Sequence, residues 1–137
     1  MTTLADTGAL YALVDRNDQW HSRVLGWWQS RPRDVLVPVT VLPEITYLLH
    51  RRIGPEAELA FVQSLADGEL PVQALEDEDL ARAADLMAGY RDTPLGFVDA
   101  SIVAQAERLG ITSILTTDRR HFSLLRPQHV TALRLEP

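Results

Sequence analysis

The chain has 137 residues, 46% of them apolar, no cysteine and a net charge of −6. That length and apolar content suit one core-forming domain spanning residues 1–137, and the missing cysteines exclude a disulfide scaffold or cysteine-based metal centre and fit a reducing cytoplasm. All 13 basic residues are arginine, which excludes a P-loop lysine or a Schiff-base amine, and no apolar run approaches the roughly 20 residues of a membrane span.

Leu4-Ala5-Asp6 reads as the end of a short first strand. A helix follows from about Thr7 to Asp15, with Leu10, Leu13 and Val14 on one side. Asn17-Asp18 caps a second helix reaching about Ser30, in which Trp20, Val24 and Trp27 stack at helical spacing as core or dimer surface, with base stacking the lesser reading. Arg31-Pro32-Arg33 breaks it. Val35-Leu36-Val37 is a buried strand, and Thr40 caps a helix to about Arg52 with Pro43 in its first turn. After Gly54-Pro55 another helix runs to about Ala66. Asp67-Gly68 turns into a third strand near Leu70 to Leu75. Glu76-Asp77-Glu78-Asp79 opens a helix to about Tyr90, where negative charge suits the helix dipole. A further helix starts near Pro94 to Gly96 and ends at Gly110. Ser113 to Thr117 forms a fourth strand ahead of Asp118, and Val130 to Leu135 the last. Strands joined by helices predict an α/β fold whose sheet is mostly parallel and covered on both faces.

In such a sheet ligands bind beyond the carboxyl ends of the strands, where strand order reverses. Asp6 and Asp118 stand at two such ends. On neighbouring strands, with backbones about 4.8 Å apart, their carboxylates need a cation between them. Asp99 borders an apolar stripe, with Leu95 one turn back and Ile102 and Val103 one turn on. Burying it unpaired is costly unless it is a metal ligand or active-site acid; pairing with an arginine is the plainer alternative. Glu44 sits among apolar neighbours early in its helix, as a metal or catalytic group or a helix-dipole partner. Four oxygen donors from four separate elements suit magnesium or manganese, and such ions hydrolyse phosphodiesters. The negative net charge runs against a nucleic-acid partner, unless bound cations face the phosphate.

Leu4-Ala5-Asp6-Thr7-Gly8-Ala9-Leu10, Leu42-Pro43-Glu44-Ile45, Leu95-Gly96-Phe97-Val98-Asp99-Ala100-Ser101-Ile102-Val103 and Ile114-Leu115-Thr116-Thr117-Asp118-Arg119-Arg120-His121-Phe122 together resemble, in order and over essentially the whole chain, the four acidic motifs of PIN-domain ribonucleases. The compact size is similar to that of the VapC-type toxins of bacterial toxin–antitoxin pairs. The resemblance implies a three-layer α/β/α sandwich with a five-stranded parallel sheet, a homodimer, and a small VapB-type antitoxin that plugs the active site. It implies Mg2+- or Mn2+-dependent endonucleolytic cleavage of RNA, with Asp6, Glu44, Asp99 and Asp118 as metal-site acids and Thr116 as a supporting or water-positioning hydroxyl. Asp92 lies near the active-site side in some relatives, though capping the helix after Pro94 explains it too. Arg51, Arg52, Arg119 and Arg120 are candidate phosphate contacts, since the guanidinium fork matches phosphate. His50 and His121 lack a convincing partner arrangement for general acid work.

Two other readings stand beside this one. A phosphatase-like α/β enzyme would use the aspartate after the first strand as nucleophile, but a second aspartate two residues on is replaced by Gly8, and the lysine of receiver domains is absent. A catalytically inactive PIN-like scaffold would lack one of the acids, whereas all four are present.

Overall fold

A computed structural model describes residues 1–30 and 34–137; the helix break assigned to Arg31-Pro32-Arg33 lies outside them. Five strands, β1 (Thr3–Ala5), β2 (Val35–Pro38), β3 (Val72–Gln73), β4 (Ser113–Leu115) and β5 (Arg134–Glu136), form one sheet in the order β3-β2-β1-β4-β5. Every pairing is parallel. The chain steps from β1 to β2 to β3 in one direction, then jumps back over the sheet to β4 and on to β5. Right-handed crossovers put the helices of the two directions on opposite faces. On one side lie α1 (Thr7–Val14), α2 (His21–Ser30), α3 (Leu42–Arg52) and α4 (Pro55–Ala66); on the other, α5 (Asp77–Gly89), α6 (Phe97–Leu109) and α7 (Arg119–Ser123). The result is the three-layer sandwich expected. Direction reverses between β1 and β4, so the connections that leave their carboxyl ends turn to opposite faces of the sheet and leave a crevice.

The central strands explain themselves. Leu4, Ala5, Ile114 and Leu115 are fully buried, as strands covered on both faces must be. Thr3 and Ser113 share a register position, and the Thr3 hydroxyl donates to Ser113 Oγ at 3.0 Å, so the polar pair buries no unmet hydrogen bond.

Several boundaries differ from expectation. The second helix starts at His21, because Asp18 Oδ1 accepts the Trp20 N–H at 2.8 Å in a turn ahead of it. Trp20, Trp27 and Trp28 are half-buried against the core. Thr40 caps nothing: it sits in a 3-10 turn, Val39–Val41, that runs straight into α3, and its hydroxyl meets Ser101 Oγ at 2.7 Å. β3 is only two residues long, an edge strand paired with β2 alone. The last strand begins at Arg134 rather than Val130, because loop groups upstream bond elsewhere: the Gln128 N–H donates to Glu107 and the Arg126 N–H to Tyr90. α6 begins at Phe97 with Gly96 as its cap, so Asp92 caps no helix. The helix α7 has no counterpart in the sequence reading.

The acidic opening of α5 is a capping box, Asp79 accepting the Glu76 N–H at 2.9 Å. Asp79 does more. It is 1% exposed and takes both arms of Arg108 from α6, each at 2.9 Å. Burial pushes its carboxyl up, but the Arg108 fork and the Glu76 N–H outweigh this and hold it below the usual range. Arg108→Leu leaves that carboxylate buried without its partner, and we expect a loss of about 2 kcal/mol in urea unfolding at pH 7. A carboxyl held low stabilises above its unfolded pKa and loses that contribution as pH falls. The gap between variant and parent should therefore narrow towards pH 3, and an equal gap at both pH values would refute the pairing as its cause.

Candidate active site

β1 ends at Ala5, whose register partner is Leu115, the end of β4. The Asp6 N–H donates to the Leu115 carbonyl at 2.9 Å, which holds Asp6 against the outgoing β4 chain. Asp6 also caps α1: its Oδ1 accepts the Thr7 N–H at 2.8 Å. Its Oδ2 accepts the Thr116 hydroxyl at 3.0 Å. Thr116 is fully buried, and its Oγ1 also accepts the Asp118 N–H at 2.9 Å. One hydroxyl thus ties the acids of both strand ends together, and the backbone N–H of Thr116 is fixed by the Glu136 carbonyl of β5 at 2.8 Å. Thr116 is a positioning residue here, shielded from solvent.

Glu44 enters from the first turn of α3, with Tyr47 and Leu48 on the same helical face. The Thr7 hydroxyl donates to its Oε1 at 2.7 Å. Asp99 comes from the first turn of α6. Asp6, Glu44, Asp99 and Asp118 all line one cleft of about 410 Å3 at the switch point. A Cβ on Gly8 would collide with Thr117 Oγ1, so the glycine lets the start of α1 close on the β4 exit.

The cleft is short of positive charge. Asp6 is 7% exposed, and its pKa is raised to about 6, by burial first and then by Asp99, with the Thr116 and Thr7 hydrogen bonds opposing. Asp99 is also raised, by burial first, with His121 opposing and Asp118 and Glu44 adding. Among the described residues, the basic side chain that reaches these acids is His121, on α7, whose Nδ1 lies 3.4 Å from both Asp99 Oδ2 and Asp118 Oδ2. An all-oxygen anionic donor set suits magnesium or manganese rather than softer metals. Among the described residues no three acidic or histidine groups close into a compact ligand cage. The four acids instead share the walls of a cleft. That arrangement still fits magnesium, which keeps several waters and takes only one or two carboxylates directly.

The family model described as the PIN domain matches residues 3–126. The chain belongs to the PIN-domain family. Ribonuclease VapC26 of Mycobacterium tuberculosis is 36% identical over 124 residues, 90% of this chain and 92% of that one. In fold this PIN domain is similar to M. tuberculosis VapC20, a sarcin-ricin loop cleaving toxin, with a TM-score of 0.80 at 24% identity over 88% of this chain and 92% of that one. It is also similar to DNA-bound VapBC of Salmonella typhimurium, with a TM-score of 0.73 at 18% identity over 99% and 97% of the two chains.

The other candidates scatter around the PIN cleft. Arg120 lines an adjoining depression. Arg119 donates to the Pro137 carbonyl, Arg52 lies 5.1 Å from the centre of the Tyr11 ring, and Arg51 is exposed on the last turn of α3. His50 pairs with Glu58 at 3.0 Å. Asp92 is exposed and lies off the cleft. Sequence reasoning missed the Thr7 hydroxyl on Glu44 and the bridging place of His121. The signal for Thr7 was its position directly after Asp6. For His121 it was an imidazole three residues beyond Asp118, on a helix too short to leave a periodic trace.

Thr116→Val should keep the fold but free both acids it ties. We expect cleavage to fall about 10–100-fold, the usual effect of removing a group that orients a metal ligand. The Asp6 carboxyl also loses a contact that lowers its pKa, so the rising limb of the pH–rate profile should move to higher pH. A drop in rate with the limb unmoved would assign Thr116 to fold alone.

Proposed function

We propose that this chain is a metal-dependent endoribonuclease of the VapC type, acting as a single domain and as the toxin of a toxin–antitoxin pair. The observation that carries the reading is the meeting of Asp6, Glu44, Asp99 and Asp118, from four separate elements, in one cleft at the β1/β4 switch point. The 36% identity to a protein named as a ribonuclease supports the reaction class. VapBC assemblies among the proteins of similar fold support a small VapB-type antitoxin as partner. A homodimer and a cytoplasmic location complete the proposal; no helix of the described residues is long and apolar enough to cross a membrane.

In this reading Asp6, Glu44, Asp99 and Asp118 hold Mg2+ or Mn2+. A bound divalent ion supplies Lewis acidity and charge neutralisation at the scissile phosphodiester. The protein's own groups prepare the ground. The Thr7 hydroxyl aims Glu44 and the Thr116 hydroxyl aims Asp6, which fixes both carboxylates before substrate arrives. Asp6, its pKa raised to about 6 by burial and by Asp99, would be available to a divalent ion as a carboxylate at neutral pH and progressively less so below pH 6. His121 meets Asp99 and Asp118 from α7, beside the cleft.

The test is to map new RNA ends in total RNA after induction, with Asp99→Asn as control. Discrete ends in the parent and none in the variant are expected. The same ends in both would refute the assignment, and their absence from both would favour the inactive scaffold.

A further inference from the structure

Beside the acid cleft lies a second depression of about 300 Å3, lined by Thr93, Asp118, Arg120, His121 and Leu124. Asp118 lines both. α7 builds this surface. Phe122 at 1% and Leu125 at 3% exposure anchor it in the core, which leaves Arg120, His121 and Leu124 for the outer side. Arg120 and Leu124 are four residues apart and share a face. His121 forms the divide: its Nδ1 meets Asp99 and Asp118, and its ring lines the second depression.

The two depressions differ in what they can hold. A cleft of four carboxylates repels a polyanion, and the chain as a whole carries −6, so an RNA strand needs a cation next to the acids to keep its register. Among the residues lining either depression, Arg120 is the one guanidinium; its neighbour Arg119 is already engaged at Pro137. Leu124, 52% exposed, adds an apolar face, and the Thr93 hydroxyl a neutral hydrogen-bonding group. Asp118 is the opposing charge, and it faces His121 at the boundary. Proteins that follow single-stranded nucleic acid grip its phosphates with positive charge and give its bases a surface to lie on, most often aromatic; here Arg120 supplies the charge and Leu124 an aliphatic surface.

We infer that this depression seats the RNA phosphate next to the one cleaved, with Arg120 gripping it and Leu124 under the adjoining base. This rests on the nuclease reading, and the test keeps the two apart. Binding of a fluorescein-labelled twelve-nucleotide oligouridylate to the full wild-type chain is followed by anisotropy across a monovalent salt series in excess EDTA, where no cutting is expected. One lost contact to a single strand lowers the salt slope by about 0.7. Arg120→Ala should lose that amount, Arg120→Lys should regain most of it, and Arg23→Ala, which removes a guanidinium stacked on Trp20, should leave it unchanged. An unaltered slope in Arg120→Ala, equal losses in Arg23→Ala, or no binding of the oligonucleotide would overturn the inference. Cleavage of total RNA by the wild-type chain, run in parallel, judges the nuclease reading separately.

Discussion

Asp6→Asn is expected to reduce RNA cleavage by at least about 10^3-fold and yet to make the metal-free protein more stable. The first effect follows from removing the charge of a proposed metal ligand that lines the cleft, where preorganised charge accounts for losses of this order. The second follows from burial. Asp6 has a pKa of about 6 in the folded chain against 3.8 as its ordinary value. Between those values the unfolded chain has already released a proton that the folded chain still holds. Stability therefore falls as pH rises from about 4 to about 6 and stays lower above that. The full shift corresponds to about 3 kcal/mol; relaxation and water entry reduce it, so about 1–3 kcal/mol is expected at pH 7.5. Asparagine keeps an oxygen for the Thr7 N–H and carries no charge beside Asp99 and Glu44. Urea unfolding of parent and variant in chelator, at pH 7.5 and at pH 4, reads the difference. A variant as stable as its parent at pH 4 and more stable at pH 7.5 is the expected pattern. A variant less stable at both would mean that Asp6 is held by its hydrogen bonds as a structural residue.

Chelation should be equally decisive. With EDTA in excess, cleavage should fall to background, and Mn2+ or Mg2+ should restore it. The same ions should stabilise the fold, because an ion that binds only the folded chain shifts unfolding by mass action. At a hundred times its dissociation constant the gain is about 2.7 kcal/mol, or roughly 10 °C in melting temperature for a chain of this size. The pH dependence carries the assignment. Protons compete with the ion for Asp6, and for Asp99, whose pKa is likewise raised. The stabilisation by Mn2+ should therefore shrink between pH 7.5 and pH 5 and be largely missing in Asp6→Asn. Differential scanning fluorimetry at both pH values measures it. Cleavage that persists in chelator, or a thermal shift that survives in Asp6→Asn, would move the chemistry away from these acids.

What the sequence discloses here is mainly what is local. Leu4-Ala5-Asp6 and Ile114-Leu115 announce strands because each is a short apolar run that ends at a polar turn, and Asp99 is conspicuous because its helix is otherwise buried along that side. The adjacency of β1 and β4 follows once the order of strands reverses, and the reversal itself is a tertiary fact. The groups that went unread depend on distant partners. Thr7 reaches Glu44 across 37 positions, and Arg108 neutralises Asp79 across 29. His121 acquires its two acids only after α7 forms. That helix, Arg-Arg-His-Phe-Ser, has a single apolar residue and no period; the Asp118 side chain accepting the His121 N–H at 3.1 Å holds its first turn.

The edge strand β5 contains none of the four acids, yet it is wired to them. Its Glu136 carbonyl holds the Thr116 backbone, and Thr116 holds Asp6 and Asp118. A protein shortened to stop ahead of Arg134 would keep Asp6, Glu44, Asp99 and Asp118 and the whole stretch that matches the PIN domain. It would still lose the brace behind them. Extra chain joined directly after Pro137 begins one residue beyond that brace, so any effect of it on cleavage would be transmitted through Thr116.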